Sequence, residues 1–202
     1  NGSNFARINA GQVVTPVYGT DAGFVNAGAA LTASSHNRLA SSIASQAAVT
    51  VSSLKIDGSQ SLNMAGTLTV SLGGVLQTDG SGVISGAGIT TSSNAAFSAR
   101  VNLPTDSLTI SAPISGTTGG LTKTGAGVLV LSGANAQTGA TTINEGTLRL
   151  SGGLATLSGA SQDLTIRQGA VFDLNGVSTG ATIKNLIGSG TITRFTLAMV
   201  GG

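Results

Sequence analysis

Residues 119–150 constrain the fold most, because they alternate short apolar runs with clusters of turn-forming residues. The stretch reads GGLTKTGAGVLVLSGANAQTGATTINEGTLRL. Apolar runs stand at residues 120–122, 128–131 and 143–150, and the turn clusters at 124–127 and 132–135 read TGAG and SGAN. Glycine adopts left-handed turns without steric cost, and Asn and Ser close turns with their side chains. No run is long enough for a helix, so the stretch predicts strand, tight turn, strand, tight turn, strand.

The same stretch resembles the strand repeat of bacterial autotransporter passenger domains. The residues that carry the resemblance are Gly119, Leu121, Lys123, Gly125, Gly127, Leu129, Leu131, Gly133, Asn135, Thr138, Gly139, Gly146, Thr147 and Leu148. The resemblance implies a right-handed parallel β-helix and leaves the activity open. Within this pattern we expect Lys123 to cover apolar surface with its aliphatic stem.

A recurring glycine-led element extends the pattern along the chain. Its first copies, at Gly66, Gly74 and Gly82, are eight residues apart, which suits one strand and one turn. Later copies start at Gly127, Gly146, Gly169 and Gly190, with spacings of 19, 23 and 21 residues. A return of roughly 20 residues is typical of one coil of a solenoid.

The spacing predicts an all-β solenoid with roughly three short strands per coil of about 20 residues, and the resemblance implies that it is a right-handed parallel β-helix. We expect residues 1–45 to form irregular N-terminal coils or a cap, and residues 46–202 to form the parallel β-helix of roughly eight to ten coils. An antiparallel β-sandwich would share the strand content, but it would show 8–12-residue spacing throughout.

Alternation within the strands predicts which side chains face the interior. The expected inward residues are Leu68, Leu76, Ile84, Ile110, Leu129, Leu148, Leu164, Ile166, Leu174 and Ile183. The expected outward residues are Thr67, Thr69, Thr109, Thr122, Arg149, Thr165 and Arg167. Asp-Gly at 57–58 and 79–80 and Asn-Gly at 175–176 predict corners between strands.

The charge of the chain limits its possible partners, and its cysteine content limits the sources of its stability. Only 8% of the residues are charged, and the 9 basic residues occur singly rather than in clusters. This pattern argues against a nucleic-acid partner. The chain holds no Cys, so packing and backbone hydrogen bonds must supply its stability. No apolar run approaches the ~20 residues of a membrane helix, so we expect no membrane insertion by this segment.

Candidate chemistry is sparse, and we predict no catalytic, cofactor-binding or metal-binding residue and no cofactor. The sequence GVSTG at 176–180 matches a Gly-x-Ser-x-Gly elbow, but the chain has one His and no helix signal follows the match. That His36 is expected in a solvated loop, and a lone His cannot hold a metal. Asp57 with Asp79 could stack on successive coils, and Asp163 could share a coil with Asp173.

We therefore expect a non-catalytic, structural or adhesive segment of a surface-displayed or secreted bacterial protein. The resemblance to passengers implies export across the outer membrane to the cell surface or the extracellular space. One alternative is a filament subunit that stacks end to end, because residues 192–200 are apolar and strand-like and look uncapped. Another is a polysaccharide-active β-helix enzyme, which would need clustered acidic residues. The expected partners are identical chains, through exposed end coils, or ligands on a host surface.

Overall fold

The structure, a computed structural model, describes residues 5–116, 118–152, 157, 162–175 and 183–193. The chain is all-β and winds as a parallel β-solenoid of about 7 turns with roughly 21 residues per turn. The turns are fewer than the eight to ten that we expected for residues 46–202 alone, although the parallel strands already start at Phe24. Among the described residues, no helix is long and apolar enough to cross a membrane.

Two parallel sheets run along the solenoid. In the described part of the chain, the first sheet comprises β3 (Phe24–Ala27), β4 (His36–Leu39), β6 (Val49–Asp57), β8 (Leu68–Thr78), β10 (Ile89–Thr91), β11 (Phe97–Val101), β13 (Leu121–Thr124), β15 (Thr141–Ile143), β17 (Asp163–Ile166) and β19 (Asn185–Gly188). The second comprises β5 (Ile43–Gln46), β7 (Ser61–Met64), β9 (Ser81–Gly86), β12 (Ser107–Ile110), β14 (Val128–Leu131), β16 (Thr147–Leu150), β18 (Val171–Asp173) and β20 (Thr191–Thr193). The strands of both sheets pair in parallel, which excludes the antiparallel sandwich.

A third strand per coil is regular only in part of the solenoid. Residues 49–51 of β6 pair with residues 68–70 of β8, which pair with β10. Past a register shift, β6 and β8 continue into the parts of the same sheet that pair with β4 and β11. In the next coil the third strand shrinks to a single bridge between Ile89 and Ile114. The predicted coil of three strands is therefore present, but in part of the solenoid turns replace the third strand.

The N-terminal residues lie outside the winding. Strands β1 (Arg7–Asn9) and β2 (Gln12–Val14) form an antiparallel hairpin. Phe5 lies against Gly74 and His36 on the first sheet, so this segment crosses the outer face of the early coils. Strands β3, β4 and β5 already belong to the two parallel sheets, so regular coils extend upstream of residue 46.

The interior is a continuous apolar column, and most of the predicted inward residues lie in it. Leu68, Ile84, Ile110, Leu129, Leu148, Leu164 and Ile166 are all buried within one core cluster, and Leu174 and Ile183 pack against it. Paired strands place Leu108, Leu129 and Leu148 in one row, so each coil stacks its apolar side chains on those of the next. The residues expected to face outward are all partly or fully exposed.

Leu76 corrects the predicted alternation. It is buried but lies outside the core cluster, in a lateral row with Lys55 and Arg100 on the outer face. Its neighbour Val75 faces the interior instead. The cause is Gly73, whose φ of 71° bends β8 and reverses the alternation that begins at Leu68.

The predicted corners adopt turn conformations. Asp79 and Asn175 have φ of 59° and 46°, and Gly58 has φ of 79°. Asx residues and glycine tolerate this left-handed region best, which explains why the chain turns at these dipeptides. Gly176 of the third dipeptide and the uncapped-looking end beyond Thr193 lie outside the described residues.

Candidate functional site

Residues 121–150 form one and a half windings in the middle of the solenoid. They contribute β13 and β15 to the first sheet and β14 and β16 to the second. Leu121 is in register with Thr141, and Leu129 is in register with Leu148, so the stretch stacks on itself. It also pairs with β11 and β12 before it and with β17 and β18 after it. The resemblance noted in the sequence therefore marks a structural unit that joins the two halves of the solenoid.

Glycines in this unit are required where one coil turns directly over the next. Gly125 has φ of 76°, and a Cβ there would lie 2.2 Å from the carbonyl oxygen of Val101 in the coil before. Gly146 has φ of 67°, and its Cβ would lie 2.5 Å from the carbonyl oxygens of Gly125 and Gly127. Any side chain would therefore separate the stacked backbones.

Lys123 lies inside the solenoid, which corrects the expectation that its stem covers the surface. It is 0% exposed, and its register partners Ala99 and Ile143 belong to the core. Its Nζ donates hydrogen bonds to the carbonyl oxygens of Thr124 at 2.8 Å, Gly125 at 2.6 Å and Glu145 at 3.0 Å. An ammonium group has three donors, so all of them are used. The side chain ties together the corners of two successive coils.

The electrostatics of Lys123 follow from its burial. Loss of hydration lowers its pKa from 10.5 to about 8; attraction to Glu145 opposes this fall, and repulsion by Arg100 adds to it. The sequence carried a signal for an inward lysine, because Lys123 lies two positions after Leu121 and alternate side chains of a strand face the same side. A lysine whose donors are all bound to carbonyls and which has no solvent access is a structural tie rather than a nucleophile.

Asn135 performs a similar task where the third strand is missing. Its side-chain Oδ1 accepts a hydrogen bond from the backbone N–H of Ile114 at 3.0 Å, and its Nδ2 donates to the carbonyl of Gly133 at 3.1 Å. The residue is buried. Its amide thus supplies the pairing that a strand would have given to the preceding coil.

The outer face of the first sheet carries a row of small hydroxyl side chains. Ser98, Thr122, Thr142 and Thr165 are successive register partners on β11, β13, β15 and β17. All four are partly exposed. Because successive strands are ~4.8 Å apart, the row presents hydroxyl groups to solvent at the spacing of the coils.

His36 is part of strand β4, so its assignment to a loop was wrong. Its ring stacks on Phe24, with ring centroids 4.5 Å apart and planes 12° apart. Its Nδ1 lies 2.7 Å from Ser53 Oγ. Burial lowers the pKa of His36, which favours the neutral ring.

A charged cluster lies beside this stack on the outer face of the first sheet. Arg38 Nε donates to Asp57 Oδ2 at 2.7 Å, and Thr78 Oγ1 donates to Asp57 Oδ1 at 2.9 Å. Burial acts to raise the pKa of Asp57, but these hydrogen bonds and the charge of Lys55 lower it overall. Burial lowers the pKa of Lys55, against the attraction of Asp57, whose Oδ1 is 3.9 Å away.

The remaining acidic residues do not form a shared site. Asp57 is in register with Thr78, so Asp79 lies one residue beyond it at the corner. Asp163 and Asp173 share a coil but lie on different sheets, where Asp163 accepts from Asn185 and Asp173 from Arg149. In the described ranges, no group of three or more His, Cys, Asp or Glu could hold a metal ion. The Gly-x-Ser-x-Gly match at 176–180 lies outside the described residues.

Comparison with known proteins agrees with this geometry. Residues 121–150 match the family model of the passenger-associated-transport-repeat. The chain is also 40% identical over 85 residues to the adhesin BmaC autotransporter of Brucella suis biovar 1 (strain 1330). That alignment covers 42% of this chain and 2% of the relative, so the chain spans a small fraction of that protein's length. No solved structure matches the chain. The resemblance of residues 121–150 to autotransporter passenger repeats is confirmed.

Proposed function

We propose that this chain is a non-catalytic, adhesive β-helical segment of a bacterial protein that is displayed on the cell surface or secreted. The observation that carries the proposal is the passenger repeat at 121–150, built into an uninterrupted stack of parallel strands. The similarity to an autotransporter adhesin supports the same function. We further propose that the segment crosses the outer membrane during export.

The hydrogen bonding, core and outer face of the solenoid suit a stalk that exposes an adhesive surface. Backbone hydrogen bonds between coils run along the long axis, and the apolar column continues from coil to coil. The outer face offers hydroxyl and amide groups at regular intervals, such as Thr122, Thr142 and Thr165. Such a surface favours many weak polar contacts over one deep catalytic pocket.

Surface display and adhesion are tested on the full-length protein in its native bacterium. We expect protease added to intact cells to remove an epitope tag placed after Gly11, and cells with the gene intact to bind host-surface ligands better than cells lacking the gene. As matched controls, both assays are repeated with Leu129→Asp, which changes the core, and with Thr122→Asp, which changes the outer face. Protection of the tag in intact cells, or equal attachment with and without the gene, would contradict the proposal.

A second candidate is a filament subunit, and it rests on the last described residue of one interior row. Leu186 is the register partner of the fully buried Leu164, yet it is 56% exposed. One more coil stacked on this face would bury it, and in a filament that coil would come from a second copy. Light scattering over a wide range of concentrations should then show association that Leu186→Lys abolishes and Leu72→Lys, a change at an exposed lateral position, preserves. A strictly monomeric chain would rule out the filament.

A further inference from the structure

Two polar side chains inside the solenoid have no hydrogen-bond partner among the described residues. Gln137 is 0% exposed, yet neither its side-chain Nε2 nor its Oε1 bonds to another described group. Thr141 is 1% exposed, and within the described ranges its buried Oγ1 makes no hydrogen bond either. Buried polar side chains are hydrogen-bonded in the large majority of proteins, because an unpaired one has lost its contacts with water and gained nothing in return. Both residues therefore require a partner.

The two side chains lie at one corner of the solenoid, where the chain enters strand β15. Burial alternates along residues 135–143, which places Gln137 and Thr141 on the inward side. The next coil meets the same corner, because Gln162 Nε2 donates to the backbone carbonyl of Gln137. Leu164, two residues after Gln162, is the register partner of Thr141. The unpaired groups therefore lie where two successive coils are stacked.

Other buried amides of the solenoid find their partners in the backbone. Asn135, two residues before Gln137, uses both ends of its amide in this way. Gln46 is also buried, and its Oε1 accepts from the backbone N–H of Leu31 at 2.7 Å. Its Nε2 donates to the carbonyl of Ala47 at 3.0 Å. The backbone thus satisfies Gln46, whereas the partner of Gln137 must come from outside the chain.

The hydrogen-bonding groups determine the chemistry of that partner. The Nε2 of Gln137 only donates, its Oε1 only accepts, and the hydroxyl of Thr141 does both. A metal cation offers no acceptor to Nε2, and a simple anion offers no donor to Oε1. Either ion would also lose its hydration on entering the interior. Water donates and accepts, carries no charge, and is small enough for a site between packed coils.

We propose that this corner is an internal water-binding site, in which ordered water hydrogen-bonds to the side-chain amide of Gln137 and to the hydroxyl of Thr141. The water does for Gln137 what backbone groups do for Gln46. A buried water with two to four polar partners is a lasting part of a protein structure. The site goes beyond the proposed adhesive function and does not depend on it.

Cross-relaxation between water and protein protons, measured by NMR on the 202-residue chain, tests the site directly. We expect cross-peaks from a long-lived water to the Nε2 protons of Gln137. Gln46 is the control within the same sample, because it is buried and satisfied by the backbone, and its Nε2 protons should show no such cross-peaks. No cross-peak at Gln137, or cross-peaks of equal intensity at both residues, would overturn the proposal.

Oxygen-17 relaxation dispersion counts the long-lived waters and assigns the site to its side chains. Gln137→Leu removes both polar atoms of the amide, so the count should fall by at least one relative to the wild type. Thr141→Val keeps the shape of the side chain without its hydroxyl, should also lower the count, and replaces Gln137→Leu if that variant does not fold. Thr141→Ser keeps the hydroxyl and is the matched control. An unchanged count in Gln137→Leu and Thr141→Val, or an equal fall in Thr141→Ser, would refute the assigned site.

Discussion

Replacing Lys123 with Met removes the tie between the corners of two coils while keeping the length of the side chain. The thioether fills much of the same space, but it has no donor for the three carbonyls that Lys123 now binds. Those carbonyls lie at turns around a side chain that is 0% exposed. The substitution therefore isolates the value of the hydrogen bonds from that of packing.

Two opposing effects set the size of the change. Leaving a buried acceptor without a donor costs about 1–3 kcal/mol, and less where water can reach it, so the buried carbonyl of Gly125 and the part-buried carbonyls of Thr124 and Glu145 together cost about 5 kcal/mol. Removing the buried charge returns about 3 kcal/mol, the free energy that corresponds to the fall in the pKa of Lys123 from 10.5 to about 8. The hydrogen bonds outweigh the charge, and we expect Lys123→Met to lower the free energy of unfolding by about 2 kcal/mol at pH 7.

Urea denaturation followed by circular dichroism measures this loss for the wild type and the variant. Lys184→Met is the control, because Lys184 is exposed, and it should change the free energy of unfolding by less than about 0.5 kcal/mol. A Lys123→Met variant as stable as the wild type, or more stable, would refute the view that Lys123 holds the corners together.

The pH dependence gives an independent test of the buried amine. The folded-state pKa of Lys123, about 8, lies below its ordinary value of 10.5, so the unfolded chain binds more protons between these values. Stability from this group therefore rises with pH across that window, and the charge penalty applies below pH 8. The deficit of Lys123→Met relative to the wild type should be about 1 kcal/mol larger at pH 9 than at pH 7. A deficit that is equal at both values would contradict the lowered pKa.

Three further substitutions test the register, the turns and the outer charges. Leu129→Asp should cost several kcal/mol because it buries an unpaired carboxylate, whereas Thr122→Asp should cost little; equal shifts in the urea midpoint would disprove the inward and outward assignment. Gly125→Ala should destabilise the chain by several kcal/mol. Gly169→Ala should cost only about 1 kcal/mol, because Gly169 has φ of 80° but nothing lies within 4 Å of its Cβ. Similar losses for both variants in thermal melts would show that the coils are not closely stacked. The pKa of Asp57 is lowered, so its stabilisation is present above pH 3.8 and is lost as pH falls through the folded-state value. Asp57→Asn should therefore reduce the loss of stability that the wild type shows at acid pH. An unchanged loss of stability at acid pH would argue against the ion pair.

The sequence predicted the fold because its repeats carry the physics of the solenoid. Apolar side chains alternate within each strand, and glycine-led strands return after about 20 residues, which is one coil. The interior positions of Ile84, Ile110, Leu129 and Leu148 follow from these two periods alone. The corners at Asp79 and Asn175 follow from the preference of Asx residues for left-handed turns.

The sequence could not reveal features that depend on contacts between distant coils. Leu76 was misplaced because alternation fails at Gly73, and no local signal shows that this glycine bends the strand. Lys123 was placed outside, although its alternation with Leu121 pointed inward, because a lysine is rarely buried unless partners satisfy it. Its third partner, the carbonyl of Glu145, belongs to the next coil and is not evident from the local sequence. The pocket lined by Tyr18, Arg38 and Lys55 joins the N-terminal segment to two successive coils, so it exists only once the coils are stacked.

Engineered cysteines measure the stacking of the coils most directly, because the chain contains no Cys of its own. Thr142 is the register partner of Thr122, and Thr165 is the partner of Thr142. Adjacent strands are ~4.8 Å apart, which is within the Cα separation of ~4.4–6.8 Å that a disulfide allows, whereas strands two coils apart are not. Under mild oxidation, the pair Thr122→Cys and Thr142→Cys should form a disulfide, and the pair Thr122→Cys and Thr165→Cys should stay reduced. A reduced first pair, or equal oxidation of both pairs, would contradict the parallel solenoid.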